Sequence, residues 1–188
     1  KKGEERDNWW GAYFSERLRL TTDEDDVEGR QKILDYLLRP NNTRLDVILT
    51  AMKNRQSWVL RLMLNKGYVN LESQASANAF LLRNAKELIF LESGHIPSSM
   101  TTKCCLCFVA VQYDDLQSLQ FLCESFGTPP VEFVCGWNLL HFSAFMGRIE
   151  VVGWLSTQDQ PVWNSFVSQS CGWKPFQGAF APHIAISR

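Results

Sequence analysis

The densest group of chemically able side chains is Cys104-Cys105-x-Cys107. Thiolates can hold zinc, but a closed tetrahedral site needs a fourth ligand and presentation from a turn. Cys135 or His95 could complete the set only by folding back, so the run reads better as core cysteines in a helix opening. His141 and His183 are of the type that serves as a general base. Neither has a serine, cysteine or carboxylate partner at a repeating offset. There is no glycine-rich phosphate loop, HExxH pair or nucleophile elbow. The acidic run at 23–28 lacks the alternating oxygen ligands of a calcium loop; it suits a solvated linker or a helix start, where negative charge meets the positive end of the dipole. These absences lead us to expect no catalytic residues, no metal, no cofactor and no small-molecule substrate.

The elements that would position these residues are short amphipathic helices. Residues 136–155 hold two such patterns meeting at Gly147, with Leu140, His141 and Ala144 in the first and Ile149, Val151, Val152, Trp154 and Leu155 as the apolar side of the second. Shifting the unit back by 33 residues superposes Leu106, Cys107 and Ala110 on Leu139, Leu140 and Ser143, and Leu116, Leu119 and Leu122 on Ile149, Val152 and Leu155. Phe108 then takes the histidine slot and Asp114 the glycine slot. A shift of 92 places Leu49, Ala51, Val59, Leu60 and Met63 on the same template, followed by a linker at 65–70. Residues 29–38 match the second helix alone, stopped by Pro40. A degenerate unit fits between, with helices at 77–82 and 86–91. Residues 178–185 copy the spacing of 136–143 after an offset of 42, the nine extra residues falling in a loop around Pro161, Val162 and Trp163.

This pattern resembles the ankyrin-repeat family, whose cue is a period near 33 residues and a Thr-Pro-Leu-His-x-Ala opening. Asn138 and Leu139 stand where Thr-Pro would be. The competing reading is an unrelated bundle, since i, i+3, i+4 spacing is common. The resemblance implies an all-α, ankyrin-like helix-turn-helix solenoid with degenerate repeats over 29–188, its last repeat incomplete, preceded by an arm or cap with an acidic linker at 1–28. Within the arm, Trp9, Trp10, Tyr13 and Phe14 share one broad helical face, fit to seal an open solenoid end or reach a neighbouring subunit. Starting at Lys1 and stopping inside a repeat, the chain is expected to be a processed or partial product.

Composition narrows the partners. Nineteen basic and twenty acidic residues leave a net charge of -1, which gives no general pull toward phosphate backbones or anionic lipid, so nucleic acid is not expected. No run approaches the roughly 20 apolar residues of a membrane span, and the aromatic start is too short for a secretion signal. The six cysteines are an even number, which invites a disulfide reading, but the resemblance puts Cys105 and Cys107 in the opening of a repeat and Cys123 at the end of its second helix, where the family places small or apolar residues. They are expected as thiols in a reducing intracellular compartment, the cytoplasm or an organelle. Asn41-Asn42-Thr43 matches the glycosylation triplet, which matters only for a secreted chain.

The resemblance also implies where a partner would sit. The family's contact slots are the turn before each first helix and two positions at its end, which here are Val134, Cys135, Trp137, Phe145 and Met146, with Tyr113 in the preceding unit and Phe176 in the last. The five slots between 134 and 146 are all apolar, and a soluble chain seldom leaves such a patch uncovered. Another protein could cover it, as could the loop bearing Trp163 and Trp173. Alternatively, Trp137 and Phe145 pack on the next repeat. The resulting expectation is a non-enzymatic scaffold, a structural or adaptor subunit binding other protein subunits. The alternative is a regulatory or targeting segment of a longer enzyme.

Overall fold

A computed structural model describes residues 43–91, 100–130, 134, 136–171, 177–179 and 181. Within them the chain is all-α, with eight α-helices. The N-terminal arm, the 29–38 helix, His95, Cys135, Trp173, Phe176 and His183 lie outside the described residues. The chain divides into two compact units, Lys1–Val69 and Asn70–Arg188.

In the first unit, α1 (Arg44–Lys53) and α2 (Ser57–Asn65) form an antiparallel pair. Thr43 starts α1, its hydroxyl accepting from the Asp46 amide, and the positive φ of Gly67 closes α2. Leu49, Ala51, Val59, Leu60 and Met63, the residues placed on the common template, are all buried.

The second unit contains α3 (Gln74–Asn84), a 3-10 turn at Ile89–Leu91, α4 (Thr102–Gln112), α5 (Leu116–Phe126), α6 (Leu139–Phe145), α7 (Ile149–Ser156) and α8 (Gln160–Val167). Helix α4 is buried on every side from Cys104 to Gln112. A helix apolar all round must be enclosed, and α3, α5 and α6 pack on it. Helices α4 and α6 each open on a side-chain cap: Thr101 accepts from Cys104 N–H and Asn138 from His141 N–H. Such caps are worth about 1 kcal/mol each.

One turn joins the two helices of each pair. The residues between α1 and α2, between α4 and α5, and between α6 and α7 place Arg55, Asp114 and Gly147 at φ 54, 59 and 68°. The next residue in each case, Gln56, Asp115 and Arg148, donates its N–H to a carbonyl five residues back, on Ala51, Ala110 and Ser143, each at 2.9 Å. These are Schellman closures, with the left-handed residue in the position that glycine fills most easily. Asp114 and Arg55 precede Gly147 by 33 and 92 residues, so the offsets read from apolar matches coincide with a backbone feature.

Three expectations are corrected. The helix expected at 86–91 is a 3-10 turn confined to Ile89–Leu91, because its backbone bonds elsewhere: Ile89 N–H donates to Gln112 Oε1 and the Glu87 carbonyl accepts from Gln112 Nε2. The loop expected around Pro161 is helix α8; proline in a first turn forfeits no bond and its fixed φ favours the helix. Ile149, expected on the buried side of α7, is 83% exposed, and Val151 and Leu155 make the buried side instead.

The turn gives a test of opposite signs within eight residues. Gly147 has a left-handed φ, whereas Gly153 lies inside α7 with open space where an added methyl would sit. Gly147→Ala should lower unfolding free energy by about 1 kcal/mol, and Gly153→Ala should raise it by about 0.5–1 kcal/mol. Urea denaturation of both variants measures the difference.

Candidate interaction surface

The turn before α6 is built on glycine geometry. Val134 and Trp137 form an isolated antiparallel bridge, with Gly136 at φ 88° between them. Both side chains are only 2% exposed. Trp137 stacks against Phe145 at 5.0 Å and 41° and meets Phe142 edge-on at 6.0 Å. Phe142 continues the contact to Phe90 and Phe108, at 5.8 and 5.6 Å. This row links the 3-10 turn, α4 and α6 through ring pairs worth about 0.5–1.5 kcal/mol each beyond area burial. Val134 and Trp137 therefore belong to the interior rather than to an open contact face. Phe142 and Phe145, against which Trp137 packs, both belong to α6.

Phe145 and Met146 at the end of α6, and Tyr113 at the end of α4, are intermediate in exposure. The Tyr113 hydroxyl donates to Glu87 Oε1; burial, and then Glu87, push its pKa well above the phenolic value. Arg148 donates to the Val111 and Gln112 carbonyls at 3.2 and 2.7 Å, closing the C-terminal end of α4. Lys103 donates to the carbonyls of Phe126, Gly127 and Thr128 at 2.8–2.9 Å. In both cases a cation meets the negative end of a helix.

His141 is fully buried. Burial holds its pKa below the ordinary imidazole value, with the Gln169 backbone acting in the opposite direction. It lies in the first turn of α6. Asn138 makes the neighbouring tie: besides capping α6, its amide donates to the Phe166 carbonyl and Gln169 Oε1 at 3.1 and 2.9 Å. Thr102 Oγ1 ties α4 to Ser73 O at 2.7 Å in the same manner. The described cysteines are buried thiols, and no group able to hold a metal occurs among the described residues.

An apolar groove of about 370 Å³ lies beside α6, α7 and α8. Its walls include Leu140, Ala144, Ile149, Val152, Trp163 and Val167. Trp163 comes from α8, the segment expected as a loop, and it lines this groove beside Leu140 and Ala144. The signal for the groove was present in the sequence: α7 carries apolar residues on two faces, Val151 and Leu155 on one and Ile149 and Val152 on the other. Among the described residues, no helix is long and apolar enough to cross a membrane. No family model, curated protein or solved structure matches this chain.

Asn138→Ala removes a cap and leaves the Phe166 carbonyl short of a donor, so the cost should reach about 2–3 kcal/mol by denaturant titration. For His141 the folded pKa is depressed, so the unfolded chain binds the extra proton first. Stability should fall as pH drops below about 6.5, and His141→Gln should flatten that part of the stability profile.

Proposed function

We propose that this chain is a non-enzymatic scaffold of ankyrin-like helix pairs that holds another protein, as a structural or adaptor subunit of a larger assembly. The observation that carries the reading is the recurrence of one left-handed turn, at Arg55, Asp114 and Gly147, between paired helices of matching apolar pattern. A pair of this kind cannot bury its own apolar side, so stability comes from stacking on neighbours. The ties from Thr102 to Ser73 and from Asn138 to Phe166 support such stacking.

The contact surface we assign comprises Tyr113, Phe145 and Met146 at the helix ends, together with the groove that opens at Ile149 and Val152. Val134 and Trp137 support it from beneath. Aromatic and aliphatic side chains in a concave setting are the usual anchors of protein interfaces, and the near-neutral charge leaves shape and apolar area to govern recognition.

The test compares variants in native co-purification. Ile149→Glu and Met146→Ala should each reduce recovery of a specific protein partner by about tenfold or more. Because both positions have exposed area, circular dichroism and the denaturation midpoint should stay near wild type. Undiminished recovery by both folded variants would remove the surface assignment.

A further inference from the structure

The α4–α5 and α6–α7 pairs share one turn geometry and one apolar pattern, so the 33-residue offset allows their faces to be compared position by position. Ser118 and Leu122 on α5, and their counterparts Val151 and Leu155 on α7, are all wholly buried. The neighbouring stripe differs. Leu119 and Cys123 on α5 are 0% and 6% exposed, whereas Val152 and Ser156, the same positions on α7, are half-exposed and exposed. Because the two pairs are built alike, the difference lies in what stacks on them. The α4–α5 pair carries the α6–α7 pair, with α6 packed on α4, Phe142 against Phe108 at 5.6 Å and Arg148 donating to the Val111 carbonyl.

On α7 the open stripe borders the groove of about 370 Å³ walled by Leu140, Ala144, Val152 and Trp163. The polar side chains of its wall turn their donors to backbone, Ser143 Oγ to Leu139 O at 2.6 Å and Arg148 to the Val111 and Gln112 carbonyls. The groove therefore matches an uncharged, apolar occupant. It is too small for a helix body about 10–12 Å across and of a size to take side chains. Deepening the scaffold reading, on which this rests, we infer that the groove receives an α-helix of a partner protein, continuing the helix stacking of the preceding pair. The helix lies across the mouth beside Ile149, and its aliphatic or aromatic side chains at i, i+3 or i+4 enter toward Val152 and Leu140, the helix-in-groove mode of recognition.

The experiment titrates the full chain into a fluorescein-labelled, hydrocarbon-stapled helical peptide of residues 138–147, the helix that the preceding pair already receives, and reads anisotropy. Saturable binding is expected, weakened about tenfold or more by Val152→Glu and unchanged by Glu150→Gln, which lies on α7 outside the groove wall. If Val152→Glu fails to fold, a diazirine on the peptide decides with the wild-type chain: adducts on α7 or α8 support the assignment. Adducts on α4, equal binding of a scrambled peptide, or uptake of naphthalene without any peptide binding would each overturn it. Failure here with partner capture still lost in Ile149→Glu removes the helical occupant and leaves the scaffold reading; peptide binding with undiminished capture does the reverse.

Discussion

The enclosure of α4 is the constraint on which the second unit depends. From Cys104 to Gln112 this helix offers no side to water, so folding requires three other helices to cover it at once. Helices α3, α5 and α6 do so. Burying an aliphatic or aromatic side chain stabilises by about 1.5–3 kcal/mol, and a run of such residues makes the cover cooperative rather than optional. The ring contacts from Phe90 through Phe108 and Phe142 to Trp137 run through the same region, and they draw the turn before α6 inward. What looked like a sticky surface in the one-dimensional pattern is partly the means by which the core extends to the next pair.

Polar groups complete what apolar burial leaves unfinished. Helix ends carry carbonyls and amides with no partner in their own helix, and here adjacent elements supply them. Arg148 closes the end of α4, Lys103 that of α5, and Asn138 and Thr102 bond to backbone in neighbouring loops. Each tie crosses from one element to another, so the ends of the helices are fixed relative to one another and not merely capped. The half-exposed Tyr113, Phe145 and Met146 sit on this framework.

Much of the fold was legible in particular residues. The 33- and 92-residue offsets came from apolar matches such as Leu106 with Leu139, yet they locate Asp114, Arg55 and Gly147 at one backbone geometry, because a left-handed residue at that place lets the second helix fold its apolar face back onto the first. The misreadings share a cause. Lys86 to Leu91 has helical spacing, but spacing does not reveal that the Gln112 amide, distant in sequence, takes that segment's bonds. Pro161 signals a break only when its place in the first turn is unknown. Helix α7 is apolar on two sides, and periodicity alone cannot say which one the protein covers.

The sequence by itself determined the local elements: paired short helices, their caps at Thr43, Thr101 and Asn138, and left-handed turns between them, since these rest on contacts within a few residues. Tertiary structure alone decided burial among equivalent apolar positions. It sent Trp137 inward and left Ile149 outside. Those outcomes depend on which neighbour arrives at each face, and that is a property of packing across long separations rather than of any window of sequence.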